Sequence, residues 1–353
     1  MQPSKMQPVP THENPMLTIS VFSGLPSGWE WYAKETRDKV RWDFHTEEPK
    51  TLLERIILRP RLSRAFGAFR CVSSARNLSS TAVAALSQYN TMWTALALRL
   101  LGVRVPLLSI SFHFPRLPKG MRLLLLKWAF SRVERFQVHS EVEKERYARH
   151  FGIPVDRFDL VRWGVKPSTV QTVDAPPPID CPYICALGKD GRDYGTLIEA
   201  MKRLPNLTLV LVAQPYNLSG LDIPNNVKVY CNIPRDEALN ILKHSQFMAL
   251  PLEGEDTSCG HITLVSAMLC RKSIIATNSS GIADYFPLGY DAPKVTAGDV
   301  DGWEKALQTM VDDPARQERC AAAGEKFVYQ YCSHDAAYRG TMEVFRKAGI
   351  LIG

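Results

Sequence analysis

The chain has 353 residues, 45% hydrophobic and 22% charged, with 43 Lys and Arg against 36 Asp and Glu for a formal net charge of +7. These are the proportions of a water-soluble globular chain, and the length suits two cores of ordinary size better than one. Eight cysteines (71, 181, 185, 231, 259, 270, 320 and 332) form no CxxC pair and no His/Cys cluster at zinc spacing, so reduced thiols and no metal site are expected. LALRLLGVRVPLLSISF is broken by Arg99 and Arg104, and MRLLLLKWAF is too short to span a bilayer. The expected location is cytoplasmic. Without a recognisable nucleic-acid-binding motif, a charge of this size does not support nucleic acid as a partner.

In chain order, residues 1–15 lack the apolar core of a signal peptide and read as a disordered leader. Residues 16–165 then alternate strand-like and helix-like segments. LTISVF leads through SGLPSGWEWY, a turn into a helix that carries Gly24, Gly28, Trp29 and Trp31. RWDFHT, CVSSAR, PLLSISFHF, RFQVHS and DLVRWG are further strand candidates, and Ser79–Gly102 and Glu141–Phe151 are the clearest helical stretches. Strict alternation implies a parallel, doubly wound sheet, here without the G-x-G-x-x-G spacing of a dinucleotide site. Two stretches, Leu52–Arg70 and Arg116–Phe136, interleave Arg and Lys with Leu, Trp and Phe. That pattern suits an anionic membrane surface, with the protein peripheral at its inner face, or a lipid-phosphate acceptor. It equally suits core-facing helices with solvated basic faces.

The proline-rich segment at 166–182 reads as a linker. The alternation restarts over 183–332 as a second domain of similar size, and 333–353 forms a C-terminal helix free to cross back to the first. The fold class is therefore α/β, with two Rossmann-like doubly wound domains facing a cleft at the carboxyl ends of their strands.

Strand-end residues should carry the function. FMALPL, a polar loop, a helix opening near Gly260 or His261, and the strand of RKSIIATN outline an anion site, because the N-terminus of a helix points unpaired N–H groups at its loop. In the second domain the first strand ends in Gly188, Lys189, Asp190, Gly191 and Arg192, a glycine with cations beside it, which suits a diphosphate. His113 follows VPLLSISF and should sit at a strand end, able to polarise a hydroxyl or to serve as a structural histidine. His261 is open between ligand contact and a place in the first helical turn. Trp29 and Trp31 could stack on a sugar or pack in a core.

VHSEVEKERYARHFGIPVDRFDLVRWGV, ALGKDGRDYGTLIEAM and LPLEGEDTSCGHITLVSAMLCRKSIIATNSSGIADYF together resemble signatures of the family 4 retaining glycosyltransferases of the GT-B fold. The resemblance implies an N-terminal acceptor domain and a C-terminal domain for a nucleotide-diphospho sugar, expected to be UDP-linked. No cofactor or metal is implied beyond that donor. The implied acceptor is a glycan or a lipid-linked hydroxyl, and retention of configuration is inherited from the resemblance. On this reading His113, Lys189 and Arg192 are catalytic. The donor contacts Gly188, Lys189, Arg192, Ser258, Gly260, His261, Thr263 and Ser266, and the acceptor contacts Gly24, Trp29 and His113. The family's two glutamates, eight positions apart, align with Ser258 and Ser266, which can hydrogen-bond a hydroxyl but supply no carboxylate. The alternative reading is a catalytically silent, glycosyltransferase-like protein that binds sugar nucleotides or acts as a scaffold.

Overall fold

The computed structural model of the chain describes residues 17–24, 30–36, 38–49, 60–114, 116–171 and 175–350. The expected leader, Gly28, Trp29, part of the first basic stretch and the middle of the linker lie outside the described residues. In chain order come β1 (Leu17–Ser23), α1 (Glu30–Glu35), β2 (Val40–Thr46), α2 (Pro60–Asn77), β3 (Ala82–Leu86), α3 (Gln88–Leu100), β4 (Leu107–Ile110), α4 (Gly120–Phe130), β5 (Arg135–Val138), α5 (Glu141–Phe151) and β6 (Phe158–Leu160). After α6 (Ser168–Gln171) follow β7 (Ile184–Leu187), α7 (Tyr194–Lys202), β8 (Leu209–Ala213), β9 (Val227–Cys231), α8 (Arg235–His244), β10 (Met248–Leu250), α9 (His261–Leu269), β11 (Ile274–Thr277) and β12 (Lys294–Val295). Helices α10 (Val300–Asp312), α11 (Pro314–Tyr331) and α12 (His334–Lys347) close the chain.

Two six-stranded sheets result, ordered β2-β1-β3-β4-β5-β6 and β12-β11-β10-β7-β8-β9. Pairing is parallel, with Val21 opposite Ala84, Leu187 opposite Val212 and Leu250 opposite Ala276. Parallel neighbours require crossover connections, and the helices that supply them cover both faces of a sheet. Hence LLSI of β4, ICAL of β7 and IIAT of β11 are buried throughout. By packing, 17–111, 121–136 and 344–350 group as one unit and 112–120 and 137–343 as another.

Two segments differ from the sequence reading. CVSSAR is not a strand; it is the last part of α2, and Ala68, Cys71, Val72 and Ala75 are buried at helical spacing. AVAAL, read as the start of a helix, is β3. A central strand buried on both faces shows no alternation, and alanine is the strongest helix former, so local preference pointed the wrong way.

Candidate functional site

The polar loops of the second unit converge after β7 and β10. Gly188 ends β7 at φ +131°, and the chain turns again at Gly191, φ +66°; both values favour glycine. Arg192 then forms an antiparallel bridge with Leu252. The Glu253 N–H donates to the Gly191 carbonyl at 3.2 Å, and the Asp193 N–H to the Pro251 carbonyl at 3.3 Å, so the two loops are zipped together by backbone. The Asp193 carboxylate accepts from the Thr196 N–H at 3.1 Å and starts α7. The Tyr194 hydroxyl donates to the Gly188 carbonyl at 2.7 Å and fixes the strand end.

Between these loops lies the Arg192 guanidinium, 7% exposed. A Cβ on Gly188 would come within 2.5 Å of its Nη2, and one on Gly260 within 3.1 Å, so two glycines make its slot. It donates from Nε to the Leu187 carbonyl at 3.2 Å and from Nη1 to the Asp190 carbonyl at 2.9 Å. Burial lowers its pKa, and the neighbouring Tyr194 hydroxyl is the largest opposing influence. A buried cation held by carbonyl dipoles is ready for an anion.

Gly260, φ +92°, precedes α9. His261 occupies the first helical position, 5% exposed, with its Nε2 2.8 Å from the Gly281 carbonyl and its ring against Tyr285. Burial keeps it below the usual histidine range. The Ser279-Ser280-Gly281 turn holds the loop: Ser279 Oγ donates to the Thr257 carbonyl at 3.1 Å and Ser280 N–H to the Glu255 carbonyl at 2.7 Å. Ser258 Oγ is buried and makes no hydrogen bond.

His113 comes to this place by aromatic packing. Phe112 and Phe114 on either side bury against Tyr147 and Phe151 of α5, with Phe112 and Tyr147 centroids 5.3 Å apart, and the Phe114 N–H donates to the Tyr147 hydroxyl at 2.9 Å. The intervening His113 places Nδ1 2.7 Å from Glu143 Oε1. Glu143, buried, also accepts from the Tyr147 hydroxyl at 2.9 Å and the His139 N–H at 3.0 Å. Burial opposes its charge, but the bond from His113 and the surrounding donors hold its carboxyl down at about 2. Burial also opposes charge on His113; contact with the Cys259 sulfur and the bond to Glu143 outweigh it and raise His113 to about 9. At neutral pH His113 is an imidazolium. His139, stacked on Trp163 at 4.2 Å, is pushed down to about 4 by burial and is neutral.

Two adjoining cavities meet these groups. The smaller, about 310 Å³, is lined by His113, Trp163, Lys189, Asp190, Arg192, Ser258 and the first turn of α9. The larger, about 590 Å³, runs past Val212, Gln214, Asn232, Ile233 and Arg235 to Ser266. They share Gly188, Lys189, Ile262 and Thr263. The smaller cavity thus offers cations and helix amides to an anion, and the larger sets aliphatic side chains such as Val212, Ile233 and Leu239 beside the polar Gln214, Asn232 and Ser266.

Of the residues singled out in the sequence, His113, Gly188, Lys189, Arg192, Ser258, Gly260, His261, Thr263 and Ser266 all line these cavities. Gly24 follows β1 in the other unit, and the Trp31 side chain, like Trp29, is outside what is described. Glu253, Glu255 and Asp256 are exposed, and none lines either cavity. Sequence reasoning missed Glu143, Trp163, Cys259, Gln214 and Asn232. The last two end β8 and β9, where the strand-end rule would have found them; Glu143 carried no signal, since a lone acid in a charged helix reads as surface.

Residues 183–327 match a family model described as "Glycosyl transferases group 1". A comparison with curated proteins finds no match. Among solved structures, the chain is similar to a sucrose-phosphate synthase from Thermosynechococcus elongatus (TM-score 0.70, 15% identity, 94% of this chain and 98% of that one). It is similar to HepE of Anabaena in complex with UDP (TM-score 0.70, 16% identity, 94% and 100% covered). A UDP-forming α,α-trehalose-phosphate synthase from Burkholderia xenovorans also matches (TM-score 0.68, 12% identity, 95% and 99% covered). The two six-stranded parallel sheets with flanking helices are the GT-B fold of these neighbours.

Proposed function

We propose that this chain is a glycosyltransferase that moves a sugar from a nucleotide-diphospho sugar, UDP-linked, to an acceptor hydroxyl with retention of configuration. The observation that carries this reading is the buried Arg192 guanidinium in its two-glycine slot, lining with Lys189 and His113 the smaller of two adjoining cavities. The family match over 183–327 supports it, as do neighbours solved with UDP and with UDP-glucose. The base occupies the larger cavity, with Ser266 hydrogen-bonding a ribose hydroxyl. The diphosphate meets Lys189, Arg192, the Ser258 hydroxyl and the amides at the start of α9, and Gly188, Gly260, His261 and Thr263 shape that end. Gly24, Trp29 and His113 serve the acceptor, a glycan or a lipid-linked hydroxyl.

Charge builds on the diphosphate as the bond to the anomeric carbon breaks, so preplaced cations favour its departure without a metal. His113, already protonated, donates a hydrogen bond to a sugar oxygen; it does not take the acceptor's proton. That proton goes to the departing diphosphate oxygen as the new glycosidic bond forms on the same face. The scarcity of carboxylates, with Asp190 the only acid lining either cavity among the described residues, favours a second reading, a silent binder of sugar nucleotides. Incubation with UDP-sugars and acceptor pools in chelator distinguishes them. Acceptor-dependent UDP release, with a product of unchanged anomeric configuration by NMR, supports transfer; binding without release supports the silent reading.

A further inference from the structure

Helix α4 turns its apolar side outward. Leu126, Ala129 and Phe130 are buried, whereas Met121, Leu124, Leu125 and Trp128 are 80%, 59%, 45% and 51% exposed. Their i, i+3, i+4, i+7 spacing makes one continuous stripe facing solvent. At roughly 100° per residue, Arg122 and Lys127 fall on opposite flanks of it, both exposed. Arg99 of α3 lies over the Trp128 ring at 4.9 Å and donates to the Trp128 carbonyl at 3.0 Å. Next to it Leu100 is 71% exposed. Arg122 donates to the Tyr89 hydroxyl at 2.7 Å.

The charge flanking the stripe in sequence is one-sided. From Arg55 to Val133 the sequence holds 13 Arg and Lys and no Asp or Glu. An exposed apolar stripe of this length normally marks an interaction surface. A second copy of the chain would bring two basic rims together, which opposes self-association through this face. A bilayer with anionic headgroups meets both demands, because aliphatic side chains and a Trp settle at the headgroup–acyl boundary while flanking cations meet phosphates. Among the described residues no helix is long and apolar enough to cross a membrane, which fits a helix lying in the plane of the surface.

We infer that α4 docks this protein on an anionic lipid surface, with Met121, Leu124, Leu125 and Trp128 entering the boundary and Arg99, Arg122 and Lys127 over the phosphates. The inference does not rest on the proposed transfer reaction. Flotation with vesicles of phosphatidylcholine alone and of phosphatidylcholine mixed equally with phosphatidylglycerol tests it. The full chain should float with the mixed vesicles and stay down with phosphatidylcholine. Arg122→Gln and Lys127→Gln should each weaken binding about fivefold at low salt. Leu124→Glu with Leu125→Glu should abolish it while leaving the thermal midpoint unchanged, since both side chains are already exposed. Arg192→Ala should float like the parent, which separates this surface from the donor site. Equal binding to both vesicle types, no binding to either, or a dimer by light scattering that the double substitution dissolves would each overturn the assignment.

Discussion

Replacing Glu143 with Gln probes the charge state on which the role of His113 depends. In the native protein His113 titrates at about 9, against 6.5 for an ordinary imidazole. That elevation corresponds to about 3 kcal/mol of native-state preference for the imidazolium. The group's pKa is raised on folding, so this stabilisation is fully present below about pH 6.5 and is lost as pH rises through about 9. Gln keeps the size of Glu143 and an acceptor for the His139 N–H, but removes the charge. Burial, which already pulls His113 downward, is then opposed by the Cys259 contact alone, and the ring should titrate well below its native value. We expect Glu143→Gln to lose about 2–3 kcal/mol at pH 7 and much less at pH 9.5, where the parent has also lost its imidazolium. Urea unfolding at the two pH values, with NMR titration of the His113 ring, measures both halves. An equal loss at both values, or a His113 pKa that stays near 9, would mean that Glu143 does not hold the imidazolium.

Two further outcomes follow from the loop geometry. Gly188→Ala forces a side chain into positive φ and into the Arg192 guanidinium, so the thermal midpoint should fall by the equivalent of about 1–3 kcal/mol and nucleotide affinity should fall with it in a titration. Ser258→Ala removes a hydroxyl without a protein partner, so unfolding free energy should stay within about 0.5 kcal/mol; UDP-sugar affinity should drop up to about tenfold, and unchanged affinity would remove Ser258 from the site.

What the sequence made legible followed from chemistry that declares itself locally. FMALPL, the polar loop and RKSIIATN became β10, the turn into α9, and β11, because a short apolar run, a pair of glycines and a helical apolar run each have one ready structural solution. Gly188 and Arg192 could be singled out as neighbours in sequence, but their meeting with Gly260 depends on the backbone zipper at Leu252, which no spacing encodes. β3 was hidden because AVAAL is a good helix by propensity and is made a strand only by its place between β1 and β4. Glu143 was hidden for a related reason: what removes it from solvent is the Phe112, Phe114 and Tyr147 cluster, assembled from residues 30 or more positions apart. The outward side of α4 was legible as a basic, apolar stretch, but which side faces solvent is a property of the packing.

On the proposed function, Arg192 in its glycine slot receives the diphosphate of a sugar nucleotide. Calorimetric titration of UDP and UDP-glucose into the parent chain and into Arg192→Ala, with chelator present, tests it most directly. The parent should bind one UDP per chain saturably. The variant should lose at least tenfold in affinity, the difference expected when a charge-assisted hydrogen bond worth about 1.5–3 kcal/mol is removed. Binding of equal strength by the two chains, or no binding of any nucleoside diphosphate by the parent, would contradict it.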